Sequence, residues 1–328
     1  MKNTRVKALA QWVSSITGTQ DTLEPLPVEA SARRFYRTTV RERSVVVMDA
    51  PPGTENNHQF VALSTCFRRA GVCVPEVLAS DLEQGFLLVE DFGNRLLEQA
   101  YGLGQDDEVL SLAISMLVRI QGVSDSIIPT YTPDRFAAEL AIFREWVLQE
   151  LIGVATRPFD DVIDFLVYTC SSQPKVTIHR DFHCRNLLIK TDGSIGAVDF
   201  QDALVGPISY DLASILYDCY YQFSDETVGT AITQYLQIAR EAGVYSADDD
   251  ERFTRAIEIT AVQRQLKAVG IFTRLKLQQD RGSHLEIIVP VMTRTCELMT
   301  KHQELVACAE WLTSTALPPV RDAVERLR

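Results

Sequence analysis

The 328-residue sequence lacks any pairing pattern among its cysteines. The seven (66, 73, 170, 184, 219, 296, 308) are odd in number, scattered, and never spaced as CxxC or as CxxC followed by HxxxH. That excludes a disulfide scaffold and a zinc finger. No stretch of about 18 apolar residues occurs, and the opening MKNTRVKALAQWVSS holds no continuous apolar segment ending in small residues. The expectation is a soluble, reduced, cytoplasmic protein with no membrane partner. Basic excess is lacking too: 32 Lys and Arg face 44 Asp and Glu, for a formal net charge of −12. Sequence-independent nucleic-acid binding needs a clustered basic surface, so the acidic balance argues against it, no nucleic-acid partner is expected, and any bound phosphate must be held locally. No period of about 20–50 residues repeats, and no low-complexity segment interrupts the chain.

What is present is an apolar fraction of 46% and a charged fraction of 23%, close to those of an ordinary globular protein. The length suggests two domains, or two lobes around a cleft. The first ninety or so residues mix a short helix with strand-like runs at 35–40, 44–48 and 85–89, the second carrying Val45, Val46 and Val47. Between them, 57–70 places Phe60, Val61, Leu63 and Phe67 at helical spacing and stops at Gly71. Beyond Glu90-Asp91-Phe92-Gly93 the pattern turns to long amphipathic helices. The first, 106–122, aligns Val109, Leu112, Ala113, Met116, Leu117 and Ile120. Thr132-Pro133 opens another, to about Gly153, with Leu140, Phe143, Trp146 and Val147 facing inward. Further helices are expected at 160–170, 210–222, 226–242, 252–277, 285–301 and 303–313, with a short terminal helix after Pro318-Pro319.

The stretch that carries chemistry is 176–211, VTIHRDFHCRNLLIKTDGSIGAVDFQDALVGPISYD. Apolar runs at 186–190 and 194–198 flank Thr191-Asp192-Gly193, a strong hairpin signal. Such a hairpin brings Asn186 and Asp199 to its two open ends, with Asp181 just before the first strand. An amide and a carboxylate suit Mg²⁺, which takes one or two carboxylate-type ligands and completes its shell with water and phosphate. A further aspartate at 181 can accept a hydroxyl proton. Phosphoryl transfer requires this set together with positive charge on the nucleotide phosphates. Singly, each of the three residues reads as an ordinary turn residue.

His179-Arg180-Asp181 with Asn186, followed by Asp199-Phe200, resembles the HRDxxxxN and DFG elements of the protein-kinase-like superfamily. The fuller form HRDFHCRNLL, then DFQDA and GPISYDL, is similar to the aminoglycoside phosphotransferase family. SARRFYR (31–37), VVVMDAPP (45–52), LLVEDFG (87–93), ELAIFREW (139–146) and RQLKAVGIFTRL (264–275) extend the likeness through both lobes. The resemblance implies a bilobal α+β kinase-like fold, with a small β-rich nucleotide-binding lobe over 1–90 and a larger, mainly helical catalytic and substrate-binding lobe over 91–328. It implies an ATP- and Mg²⁺-dependent small-molecule kinase acting on a sugar hydroxyl, the anomeric one of N-acetylmuramate or N-acetylglucosamine as in cell-wall recycling. No partner protein is implied.

The resemblance also gives roles. Asp181 accepts or orients the acceptor hydroxyl, and Asn186 and Asp199 hold magnesium. Arg33, Arg34 and Arg37 lie over the ATP phosphates beside a small, serine-containing turn, or else form a solvated strand edge. Val89, Glu90 and Asp91 form the hinge that meets adenine. His179 packs the catalytic loop, and Asp211 secures its backbone. His183 either sits near the substrate hydroxyl or is a satisfied loop histidine. Glu139, Glu145, Trp146, Asp218, Arg264 and Lys267 are the polar or amphipathic residues available to read the sugar. Trp146 would alternatively continue the apolar stripe of its helix, and Arg264 and Lys267 would alternatively form a solvated face.

One kinase element is missing. The strand that should carry the nucleotide lysine reads Val45-Val46-Val47-Met48-Asp49. An earlier arginine would replace it, with Glu55 either paired to that arginine or a plain loop residue. Asp211 lies only twelve positions after Asp199, too few for a peptide-docking activation segment. A small acceptor follows. The alternatives are an aminoglycoside or choline-type kinase, whose cationic acceptor suits an acidic protein, and a nucleotide-binding pseudokinase serving as an interaction module.

Overall fold

Val45 and Val47 alternate with Val46 along β3 (Arg43–Asp49), and the alternation puts the first two inside a core. The computed structural model describes residues 2–18, 22–27, 33–247 and 249–328. Strand β3 pairs antiparallel with β2 (Arg34–Val40) through a two-residue turn at Arg41 and Glu42, both with positive φ. With β1 (Glu24–Pro25), β4 (Val77–Asp81) and β5 (Phe86–Glu90) they form a five-stranded sheet in the order β1-β2-β3-β5-β4. On one face Tyr36, Val45, Val47, Phe86 and Leu88 meet Leu9 and Val13 of α1 (Lys2–Thr17). Helix α2 (Asn57–Arg69) begins where the Asn56 side chain accepts from Gln59 N, and buries Phe60, Leu63 and Phe67. Burial of each such side chain contributes about 1.5–3 kcal/mol.

The strand end at Gly85 has no room for a side chain. Its φ is +72°, and a Cβ there would lie 2.0 Å from the Ala50 carbonyl oxygen, while Ala50 N donates to Gly85 O at 2.8 Å. Gly85→Ala should destabilise the protein by about 2–5 kcal/mol, measured as a lowered thermal midpoint; an unchanged midpoint would mean that this strand end relaxes freely.

Contacts divide the chain into two units. The first runs to Leu97 and takes in Asp125–Ile127 and Arg185–Asp202; the second comprises Glu98–Ser124, Ile128–Cys184 and Ala203–Arg328. The hairpin expected at 186–198 is present as β7 (Leu187–Ile189) and β8 (Ile195–Ala197), and it belongs to the first unit. Ala197 N donates to Cys73 O, Ile189 N donates to Arg95 O, and Phe200 packs on Phe60 and Phe67 of α2.

The second unit is mainly helical: α3 (Asp106–Gln121), α4 (Pro133–Phe143), α5 (Arg157–Ser171), α6 (Tyr210–Leu216), α7 (Asp225–Glu241), α8 (Asp250–Gln279), α9 (Leu285–Thr300), α10 (Val306–Trp311) and α11 (Leu317–Leu327), with β6 (Lys175–Ile178) paired to β9 (Leu204–Pro207). Thr132 caps α4 by accepting from Arg135 N, with Pro133 in the first turn. Helix α4 runs on as a π-helical stretch, Arg144–Leu151. This wider turn moves the buried stripe onto Val147 and Leu148, both fully buried, so Trp146 is only partly covered and does not sit in the core as its spacing suggests. The 30-residue α8 packs against α4, α5, α6 and α9. Gly270 lets it approach α4 closely, since a Cβ there would fall 2.7 Å from Phe143 N. Among the described residues no helix is long and apolar enough to cross a membrane.

Candidate active site

In the first unit, the hairpin backbone places Asn186 and Asp199 together. Val198 N donates to Asn186 O at 2.9 Å, so the residues flanking β7 and β8 share one end of the ribbon. Asp199 holds a positive φ of 64°, uncommon outside glycine and frequent at functional turns. Its carboxylate is half exposed and accepts from Gln201 Nε2 at 2.6 Å. Arg33 approaches the same carboxylate at 3.8 Å. Arg33 also donates through Nε to Glu55 Oε2 at 2.8 Å, and both side chains are largely covered. An arginine just before β2 thus forms the ion pair with Glu55, next to Asp199, where the chain lacks a strand lysine. Ser31, the turn serine of the expected phosphate loop, lies outside the described residues.

The other nucleotide candidates are arranged differently. Arg34 opens β2 opposite Asp49. Arg37 forks onto Asp91, at 2.7 and 2.9 Å, and Ser44 Oγ and Gly93 N also donate to that carboxylate. Burial pushes Asp91 up, but Arg37, Ser44 and Gly93 outweigh it and hold the carboxyl below its ordinary value. The Arg37 fork is thus filled by Asp91, while Arg33 lies between Glu55 and Asp199. Val89 lies in a strand paired on both edges, and the Glu90 carboxylate meets Arg68 at 3.1 Å and Lys190 at 3.3 Å. The main chain of Val89 is thus engaged in the sheet, and the side chain of Glu90 in ion pairs.

In the second unit, the loop carrying Asp181 follows β6. Its backbone turns sharply at Arg180, with φ of 80°, and two buried carboxylates fix it. Asp211, in the first turn of α6, accepts from His179 N at 2.5 Å and from Arg180 N at 2.9 Å. Asp218 accepts from Cys184 N and from Tyr220 N. Burial pushes Asp211 up to about 7, against the pull of Arg264 and the two backbone donors. Arg264 donates to Arg180 O at 2.8 Å and to Ser214 Oγ at 2.6 Å, with its guanidinium over the Tyr210 ring. It clamps the loop rather than offering a fork to a sugar. His179 is fully buried, with its ring edge-on to Phe182, and His183 lies against Tyr220.

Glu139 is nearly buried and takes four donors: the Tyr131 hydroxyl, Arg180 at 2.9 Å, Lys267 at 3.3 Å and Gln263 at 3.4 Å. Lys267 also reaches the Tyr210 hydroxyl at 3.3 Å. Both residues turn inward, so neither forms the open sugar-reading surface expected of them; Glu145 is exposed. Tyr131 and Gln263 were not legible as part of the site. Burial pushes Asp181 up, yet Lys267, Arg180, Arg264 and His183 outweigh it and hold the carboxyl at about 2. It is ionised at neutral pH.

A single carboxylate with a neighbouring amide fits magnesium that arrives on phosphate. Among the described residues no three His, Cys, Asp or Glu side chains cluster to cage an ion by themselves. The cysteines are free, and burial raises six of them, Cys170 to about 12.

The model of the phosphotransferase enzyme family matches residues 22–249. The chain belongs to that family. This phosphotransferase is 35% identical over 299 residues to an N-acetylmuramate/N-acetylglucosamine kinase of Pseudomonas aeruginosa, covering 89% of this chain and 88% of the relative. It is also 35% identical over 288 residues to the protein of the same name from Neisseria meningitidis serogroup B, covering 84% and 85%. Among solved structures it is similar to choline kinase LicA from Streptococcus pneumoniae (TM-score 0.66, 14% identity, 90% of this chain and 99% of that one). It is likewise similar to a thermostable mutant of aminoglycoside phosphotransferase APH(4)-Ia in ternary complex with ADP and hygromycin B (TM-score 0.61, 14% identity, 90% and 98%). These likenesses show the fold: the phosphotransferase has the protein-kinase-like α+β architecture.

Proposed function

We propose that this phosphotransferase transfers the γ-phosphoryl group of ATP to the anomeric hydroxyl of N-acetylmuramate or N-acetylglucosamine. The observation that carries the reading is the loop bearing Asp181, fixed through main-chain donors to Asp211 and Asp218, with Lys267, Arg180 and Arg264 holding the Asp181 carboxyl low. The curated relatives' shared name supports the acceptor. The acceptor O–H donates to an Asp181 oxygen, its oxygen forms the new bond to the γ-phosphorus, and the bond to the ADP oxygen breaks as the proton passes to Asp181. A carboxylate near pKa 2 is a weak base, far below the value at which general bases are most effective. Its main contribution is to align the hydroxyl and supply negative charge beside the proton, in keeping with a transfer governed by positioning and electrostatics. Arg33, held by Glu55, would contact the nucleotide phosphates. Asn186 and Asp199 would hold magnesium, which when bound neutralises charge on the β- and γ-phosphates.

ADP release measured with Mg-ATP and a panel of N-acetylmuramate, N-acetylglucosamine, glucose, kanamycin and choline is expected to single out the two amino sugars. Their 1-O-methyl glycosides should be inert. Turnover of kanamycin or choline alone would replace the sugar reading, and no turnover with any acceptor would favour a pseudokinase.

A further inference from the structure

Glu139 and Lys267 look like surface polar residues in the sequence and are instead a buried ion pair. Glu139 comes from α4 and Lys267 from α8, their side chains 7% and 10% exposed and 3.3 Å apart. An ion pair taken out of water is costly unless its remaining donors and acceptors are satisfied. Here they largely are: Glu139 also accepts from the Tyr131 hydroxyl, Arg180 and Gln263, and Lys267 donates to the Tyr210 hydroxyl. Tyr131 is itself fixed by stacking on Phe136, with ring centroids 3.8 Å apart. The network joins α4, α6 and α8 to the residue immediately before Asp181. Arg264, one helical turn before Lys267, grips the carbonyl of that same residue.

We propose that Lys267, held in place by Glu139 and Tyr210, is a positioning residue for Asp181, and that Glu139 organises both Lys267 and Arg180, the neighbour of Asp181 in the chain, for this task. The inference rests on the transfer reaction proposed above. The groups facing Asp181 are Arg180 and His183 on its own loop, Lys267 and Arg264 on α8, and Asp211 on α6. Among the charges, Lys267 exerts the strongest pull against the upward push of burial, and Asp211 opposes it. When the acceptor proton moves to Asp181, the carboxylate charge is neutralised while the acceptor oxygen bonds to phosphorus.

Two readouts test this. The first needs no turnover. An aspartate whose folded pKa lies below its unfolded value contributes stability that is present at neutral pH and lost as pH falls through the folded pKa. Asp181→Asn should therefore lower the thermal midpoint at pH 7 in the wild-type background. In a Lys267→Met background, where burial acts with less opposition, the same substitution should be neutral or raise the midpoint. The second readout is kcat/KM for N-acetylglucosamine from about pH 4 to pH 8. Lys267→Met should bring in an acid limb displaced upward by about 1–3 pH units, with KM for ATP unchanged, and Lys267→Arg should restore the wild-type profile. If Lys267→Met alone folds poorly, the double variant Glu139→Gln/Lys267→Met removes both buried charges together and keeps both measurements open. Strictly additive midpoints would overturn the inference, as would a raised sugar KM with an unmoved pH profile. Wild-type protein inert toward every acceptor would remove the proposed function and leave the midpoint test to decide this inference.

Discussion

Asp181→Asn is expected to lower kcat by about 10²–10⁴-fold while leaving KM for ATP within about twofold. The amide keeps the shape of the side chain and loses the charge that aligns and receives the acceptor proton. The substitution leaves the nucleotide candidates Arg33, Asn186 and Asp199 unchanged, and the loop is held through main-chain groups that it does not alter. Steady-state kinetics at neutral pH with saturating sugar read the effect directly. A kcat within twofold of the wild type would remove Asp181 from the reaction.

Asp199→Asn should lower kcat/KM for Mg-ATP by about 10²–10³-fold and raise the magnesium concentration needed for half-maximal rate. Asparagine is the appropriate replacement because it tolerates the left-handed backbone that this position adopts, so the loss is one of charge and not of fold. The variant also frees Arg33 from its neighbouring carboxylate, and that part of the effect acts on nucleotide affinity. A magnesium titration superimposable on that of the wild type would take the metal-ligand role away from Asp199.

Several elements were legible because their signals are local. Thr191-Asp192-Gly193 specifies its hairpin within a few residues, and Gly193 has the positive φ that the turn demands. Thr132-Pro133 and Asn57–Arg69 declare their helices through caps and spacing. The candidates Asp181, Asn186 and Asp199 rest on spacing alone, and their roles are those proposed above. Other features depend on distant partners. Arg37 and Asp91 are fifty-four positions apart, and a row of basic residues gives no indication of which fork is already filled. Strands β6 and β9 are too short for alternation to register, and β4, VLASD, has little β-branched or aromatic content to mark it. The short α6 stops at Leu216, well before the 222 that its apolar pattern suggests.

Glu139 is the most instructive case. It shares a helical face with Phe136, Leu140 and Phe143, all fully buried. That stripe already required a buried carboxylate, and a buried carboxylate requires cations. The signal was present, but Arg180 and Lys267, the residues that answer it, lie far along the chain. Trp146 failed for a different reason, since the π-helical turn shifts the phase of the helix without leaving a mark in composition.

The protonated state of the thiols has a practical side. Electrophilic labels and mild oxidants act on thiolates, and burial disfavours that form at Cys66, Cys73, Cys170, Cys219, Cys296 and Cys308. Fluorophores or spin probes aimed at the native sulfurs would react sluggishly, so a reporter for ligand-driven motion is better carried on a cysteine newly placed at an exposed position such as Tyr168 or Leu103.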